Sequence, residues 1–279
     1  MYKIVRKEIL NDVVELMEIH APYVARKCEP GQFIILRVDE DGERIPLTIA
    51  DYDREKETIT IIYQVVGYST KKLAELNEGD SVCDFAGPLG VPTVLHQHNH
   101  VIGVAGGVGS APLFPQLRAL ANMGVKCDVI IGGRDAQYIL WADRFAEFCE
   151  NVYITTDNGS LGDKGFVTTK LQSLIDAGEQ IDEVIAIGPV PMMKAVVGVT
   201  KPHNIKTSVS LNPIMIDGTG MCGCCRVTVD GKIKFACVDG PDFDGLTVDF
   251  DELMNRQRTF KHEEEVEGNH MCNLMGGAK

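Results

Sequence analysis

The chain has 279 residues, 44% of them hydrophobic, and a formal net charge of −13. That length exceeds one hydrophobic core and predicts two or three domains, while the acidic balance excludes binding to a phosphate backbone, which needs clustered Lys and Arg, so nucleic acid is not an expected partner. No apolar run reaches the roughly 18 residues that span a bilayer, the start lacks a charged n-region followed by an apolar h-region, and nine cysteines, an odd number, suit a reducing cytoplasm better than a disulfide scaffold.

Residues 1–98 carry short strand-like runs at Tyr2 to Ile9, Phe33 to Val38, Thr58 to Val66 and Ser81 to Ala86. Pro30-Gly31, the acidic turn from Asp39 to Gly42, and Asn77 to Asp80 separate them. Strands at this spacing predict an antiparallel barrel or sandwich. Ser69 is placed to cap a short helix from Thr70 to Leu76. His96, His98 and His100 alternate in what reads as a solvated linker turn, and Cys28, Cys83, Cys127 and Cys149 read as ordinary buried thiols.

From residue 99 to 208 the pattern alternates. Val101 to Ala105 ends in a glycine cluster and is followed by a helix from Ala111 to Met123. Lys126 to Ile131, a helix near Trp141 to Cys149, Val152 to Thr155, a helix near Gly165 to Ala177, and Glu183 to Ile187 complete the run. Strands alternating with helices predict a parallel sheet with crossovers. The cluster Gly106-Gly107-Val108-Gly109-Ser110 follows a strand and opens a helix, where backbone N–H groups and the helix dipole favour a pyrophosphate. It is not G-x-G-x-x-G, and a turn needed only for strand–helix packing is the alternative. After the third strand comes Asp157, which accepts from a ribose 2′-OH and repels a 2′-phosphate, favouring NAD(H). Arg134, after the second strand, argues the other way. No His, Ser or carboxylate pattern singles out a catalytic side chain.

Residues 209–279 form a third region around Asp217, Cys222, Cys225 and Cys237, spaced D-x4-C-x2-C-x11-C. The plant-type [2Fe–2S] loop reads C-x4-C-x2-C with a further Cys, so an aspartate stands where the first thiolate would be. A carboxylate is a harder ligand than a thiolate and shifts the potential of such a centre. Three alternatives stay open: a zinc knuckle on Cys222, Cys225 and Cys237 with one more ligand, an Asp217 that only caps the loop, and a rearranged loop using Cys224.

Pro30-Gly31-Gln32-Phe33, Pro46-Leu47-Thr48, Gly67-Tyr-Ser69-Thr70, Gly87-Pro-Leu-Gly90, the glycine turn and Gly188-Pro189-Val-Pro-Met192-Met193 occur in this order. Together they resemble the ferredoxin–NADP reductase superfamily over about residues 1 to 200. With the cysteine loop, the chain is similar to two of its branches, the electron-transfer subunits of NAD-linked dihydroorotate dehydrogenase and the small subunits of electron-bifurcating NADH-dependent ferredoxin:NADP oxidoreductases. The resemblance implies an antiparallel FAD-binding barrel, a parallel-sheet nucleotide-binding domain and a small C-terminal [2Fe–2S] domain. By motif, Pro46, Leu47 and Thr48 line the flavin, Ile62, Tyr63 and Gln64 run beside its ring or ribityl chain, and Gly67, Ser69 and Thr70 hold the FAD pyrophosphate. Gly106, Gly107, Gly109, Ser110, Asp157, Gly188, Pro189 and Met192 bind the nicotinamide nucleotide. The family's arginine, three places before the Ser/Thr of the first motif, is Ile45 here, with Arg44 one place earlier.

The function implied is an oxidoreductase subunit that moves electrons between NAD(H), FAD and the cluster. It works with a larger iron–sulfur flavoprotein subunit, as a heterodimer or higher assembly. An Asp in the first ligand place favours the bifurcating branch; the dihydroorotate branch is the runner-up, and a non-catalytic redox or nucleotide sensor is the alternative of another class. Exposed charge and small apolar pieces such as Met271 to Met275 are expected on the docking region.

Overall fold

The structure, a computed structural model, describes residues 2–263 and 266; the Met271 to Met275 segment lies outside the described residues. The chain opens with β1 (Tyr2–Asn11), β2 (Val14–His20), α1 (Pro22–Lys27), β3 (Phe33–Arg37), β4 (Ile45–Asp53), β5 (Thr58–Gln64), α2 (Tyr68–Ala74), β6 (Ser81–Val82) and β7 (Asp84–Leu89). These strands form one antiparallel sheet in the order β6-β1-β2-β5-β4-β3-β7, curled into a nearly closed barrel. Strand β5 is buried on both faces for a structural reason. Ile59, Ile61 and Tyr63 turn into the barrel core with Met17, Ile19 and Ile34. Ile62 points the other way, to Val14, Leu16, Ala50 and Ala111, because side chains alternate along a strand.

The second half contains β8 (His100–Gly106), α3 (Ser110–Asn122), β9 (Lys126–Gly133), α4 (Ala142–Phe145), β10 (Asn151–Thr156), β11 (Asp163–Lys164), α5 (Val167–Asp176), β12 (Glu183–Ile187), α6 (Val190–Thr200) and β13 (Lys206–Ser210). After these come β14 (Arg226–Val229), β15 (Lys232–Phe235), α7 (Ala236–Asp239), β16 (Asp242–Asp244) and α8 (Phe250–Gln257). The sheet order is β11-β10-β9-β8-β12-β13-β16, parallel throughout except for β16. Strand order reverses at β8, and the crevice beyond the carboxyl ends of β8 and β12 is where such sheets bind ligands. Among the described residues no helix is long and apolar enough to cross a membrane.

Two expectations change. His100 is buried and opens β8, with Nε2 2.9 Å from Asp128 Oδ2 and Nδ1 3.1 Å from the Gln180 carbonyl, while His98 reaches Glu183 at 2.9 Å; neither lies in a solvated turn. Helix α2 begins earlier than expected, capped at Gly67, whose N–H donates to Thr70 Oγ1 at 3.0 Å. Ser69 sits inside its first turn, donating to Glu43 Oε2 at 2.7 Å.

Barrel and parallel sheet are pinned together. Asp51 on β4 accepts from Arg118 and Arg144, each at 2.6 Å. Asp242 on β16 accepts from Thr93 at 2.5 Å and from Gln116 on α3 at 3.3 Å, and Ser210 on β13 also bonds its carboxyl. Asp242 Oδ1 and Gln116 Oε1 are sealed from solvent without partners. Burial raises the Asp242 pKa, against the pull of the Thr93 and Ser210 hydroxyls. A carboxyl whose folded pKa lies above its unfolded value adds most stability below the unfolded value, and that contribution is lost as pH rises through the folded one. Asp242→Asn, neutral and bearing an extra donor, should therefore be more stable than the parent at pH 8 by roughly 1–2 kcal/mol. Urea unfolding at pH 8 and pH 4 checks it, the advantage shrinking at the lower pH.

Candidate functional site

A cavity of about 1280 Å³ lies between barrel and parallel sheet. It exceeds the roughly 300–1,000 Å³ of ordinary small-molecule pockets. Pro46, Leu47 and Thr48 of β4, Ile62, Tyr63 and Gln64 of β5, and Thr70 of α2 line the barrel side. Gly106, Gly107, Gly109, Asp157, Gly188, Pro189 and Met192 line the opposite side. Gly67, Ser69 and Ser110 are not among the lining residues. Ser69 has its hydroxyl hydrogen on Glu43, and Ser110 donates to the Gly107 carbonyl at 3.1 Å. Tyr63 reaches the cavity but commits its ring to the barrel core, its hydroxyl donating to Glu15 Oε2 at 2.8 Å; burial and that carboxylate raise its pKa.

The glycine turn is shaped by contact. A Cβ on Gly109 would lie 2.1 Å from the Ile187 carbonyl oxygen, and one on Gly106 2.5 Å from Met192 Sδ. Only glycine lets α3 start this close to the end of β12, leaving backbone rather than side chain at the crevice floor. At the far rim, Asp157 N–H donates to the Gly133 carbonyl at 3.1 Å and Asn158 N–H to the Arg134 carbonyl at 3.2 Å. These bonds hold Asp157 and Arg134 on one edge. The Arg134 guanidinium lies 4.5 Å above the Tyr138 ring and bonds its hydroxyl.

The cysteine loop begins just after β13. Cys225 and Cys237 are 1% and 2% exposed and their sulfurs are 3.2 Å apart. The eleven residues between them are the β14–β15 hairpin, closed by Asp230 (φ 52°) and Gly231 (φ 65°), and Ala236 at the start of α7. Two consecutive left-handed residues make the two-residue hairpin turn that Asp-Gly favours, and it returns Ala236 N–H to the Cys225 carbonyl at 3.1 Å. The Asp-Gly pair between alternating runs was thus a readable signal that the last two cysteines meet. Burial and the neighbouring Cys225 push the Cys237 thiol up to about 12, while the Gly220 N–H bonding its sulfur acts in the opposite sense.

Cys222 is exposed, and Asp217 Oδ2 accepts from the N–H groups of Thr219 at 2.9 Å and Met221 at 3.2 Å and from the Thr219 hydroxyl. These bonds, the Thr219 hydroxyl foremost, hold the carboxyl below its ordinary range. Among the described residues, no three His, Cys, Asp or Glu side chains are gathered as a metal cage. Cys224 presents its carbonyl to Arg256 at 3.1 Å. Two thiols meeting in apolar surroundings, a backbone N–H on one sulfur, and a loop turned through left-handed Gly218, Gly220 and Gly223 suit a thiolate-held cluster.

Cavity and cysteines share a wall. Phe33 of β3 and Met215 line the cavity and also pack in the apolar cluster that holds Cys225 and Cys237. Sequence reasoning did not assign a role to Phe33 or Met215, because nothing local to either signals a shared wall.

Residues 212–249 match the iron–sulfur cluster binding domain of dihydroorotate dehydrogenase B, and residues 104–198 match the oxidoreductase NAD-binding domain. A Thermotoga maritima protein described as a dihydroorotate dehydrogenase B (NAD(+)) electron transfer subunit homolog is 43% identical over 265 residues, covering 95% of this chain and 93% of that one. An uncharacterized protein in the adh 3′ region of Clostridium beijerinckii is 52% identical over 272 residues, covering 95% and 92%. A solved chain from work on flavin-based electron bifurcation by the NADH-dependent reduced ferredoxin-NADP oxidoreductase superposes with a TM-score of 0.92 at 41% identity, covering 97% and 98%.

Proposed function

The chain belongs to the family of the dihydroorotate dehydrogenase B electron-transfer subunits, and from that premise we propose that it moves electrons between NAD(H), FAD and a [2Fe–2S] cluster in electron-bifurcating NADH-dependent ferredoxin:NADP oxidoreduction. Its partner in this reading is a larger iron–sulfur flavoprotein subunit. The observation that carries the reading is the wall shared by Phe33 and Met215, which line the cavity and belong to the apolar cluster that holds Cys225 and Cys237. The likeness to the bifurcating oxidoreductase structure over 97% of the chain supports the bifurcating branch, as does the aspartate in the first ligand place.

Bound FAD supplies conversion of a hydride into single electrons, and the cluster carries those electrons one at a time. The protein's part is placement. Pro46, Leu47, Thr48, Ile62 and Gln64 form the flavin's side of the cavity, and the turn from Gly106 to Gly109 offers backbone and the start of α3 to a pyrophosphate. Phe33 and Met215 join the cavity to the apolar cluster around the thiols. Cys225, Cys237 and Cys222 supply thiolates, with Asp217 in the first place of the loop.

Purified without oxygen, the chain should carry one FAD and about two irons and two sulfides, as one [2Fe–2S] centre requires. Adding NADH should bleach the flavin and then raise the paramagnetic signal of the reduced cluster. Zinc in place of iron would sink the reading. The family match of residues 212–249 favours a second reading, service to a dihydroorotate-oxidising subunit; identifying the large subunit that co-purifies distinguishes the two.

Nucleotide choice follows from the rim. NADH should bind at least about tenfold more tightly than NADPH, and Asp157→Ser should narrow that gap by about tenfold. Fluorescence titration of both nucleotides measures it, and tighter NADPH binding by the parent would assign the choice to Arg134.

A further inference from the structure

We propose that Arg44 is a positioning residue that fastens the cysteine loop to the flavin barrel and holds a fixed positive charge beside the redox centre. This rests on the cluster reading above. Arg44 immediately precedes β4, whose Pro46, Leu47 and Thr48 line the cavity. Its side chain turns away from that cavity toward the loop. Nε donates to the Ile216 carbonyl at 3.3 Å and Nη2 to the Asp217 carbonyl at 3.2 Å. The planar guanidinium bridges two successive carbonyls, which a single ammonium cannot do in the same geometry.

The next residue of the loop meets the barrel directly. A Cβ on Gly218 would stand 2.4 Å from Ile35 Cδ1 and 3.1 Å from Leu89 Cδ1, so the loop is seated on β3 and β7 with no room for a side chain. Arg44 and this contact are neighbouring attachments of one turn to one barrel. The Asp217 carboxylate organises the rest of the turn through the Thr219 and Met221 N–H groups. Electrostatics adds a second effect. Reduction of a cluster adds negative charge, which a nearby cation stabilises, so Arg44 raises the potential of the centre. Residues 44 to 48 thereby touch both redox sites from one short segment.

The test uses the holoprotein and the variants Arg44→Gln and Arg44→Lys. Arg44→Gln should keep FAD and iron at parental levels, lower the cluster's midpoint potential in an EPR-monitored titration, and speed hydrogen exchange at the amides of residues 218–221 about tenfold, equivalent to ~1.4 kcal/mol. Arg44→Lys should restore the potential but not the exchange protection. Unchanged exchange together with unchanged potential would overturn the proposal. So would loss of FAD with unchanged exchange, which would return Arg44 to a phosphate-binding role. Absence of iron from the parent would defeat the cluster reading, while the exchange measurement would still judge the attachment by itself.

Discussion

Serine in place of Cys225 or Cys237 should leave the chain unable to deliver single electrons beyond its flavin. The sulfurs of these two residues stand 3.2 Å apart in an apolar pocket. A serine hydroxyl is a poor substitute for a thiolate toward iron. Iron content should fall to near zero, and NADH-driven reduction of a one-electron protein acceptor should drop by roughly hundredfold or more, beyond the 10- to 100-fold typical of outer-shell changes. NADH oxidation by a two-electron dye acting at the flavin should persist. That contrast separates loss of the relay from loss of the fold. Parental iron content and acceptor reduction in Cys237→Ser would remove the pair from the cluster.

Gly109→Ala is expected to be among the most damaging single-methyl changes in the nucleotide half. The new Cβ would lie 2.1 Å from the Ile187 carbonyl oxygen, a backbone atom inside the parallel sheet that cannot rotate aside. Overpacking of this kind costs roughly 1–3 kcal/mol and more where backbone must shift, so a loss of about 3 kcal/mol and of NADH binding is expected. Gly107→Ala is the control. It meets open space at φ +54° and should cost only about 1 kcal/mol through its left-handed backbone. Denaturant unfolding of both variants measures the difference.

Residue order made part of this architecture readable. The glycine turn stood out because a strand run leads into it and a helix run leaves it, and the structure places β8, the turn and α3 there. The cysteine spacing was informative because ligands must recur at short intervals along one loop. Strand β2 was missed: its Val14, Leu16, Met17 and Ile19 are all buried, and that spacing suits a helix as well as a strand. His100 was misread because its polarity is satisfied by Asp128 and Gln180, partners 28 and 80 residues away. Ser69 was assigned to a phosphate by motif; what the motif did not signal is that its hydroxyl also meets Glu43, 26 residues away. In each case the deciding partner is brought by the fold from a distant part of the chain.

Strand β16 follows the cysteine loop in sequence yet completes the edge of the nucleotide sheet, pairing Asp242, Phe243 and Asp244 with β13. Helix α8 lies on α6, and Lys194 holds Asp251 at 2.6 Å. The cysteine loop is therefore built into the body of the protein by strands before and after it, not hung from it on a linker. In many redox enzymes a carrier swings between donor and acceptor, and its rotation sets the pace of turnover. Here the cysteine loop is tied to the nucleotide sheet on both sides, by β13 before it and β16 after it. Under the proposed function, the timing of electron flow is then expected to follow nucleotide occupancy at one end and partner docking at the other.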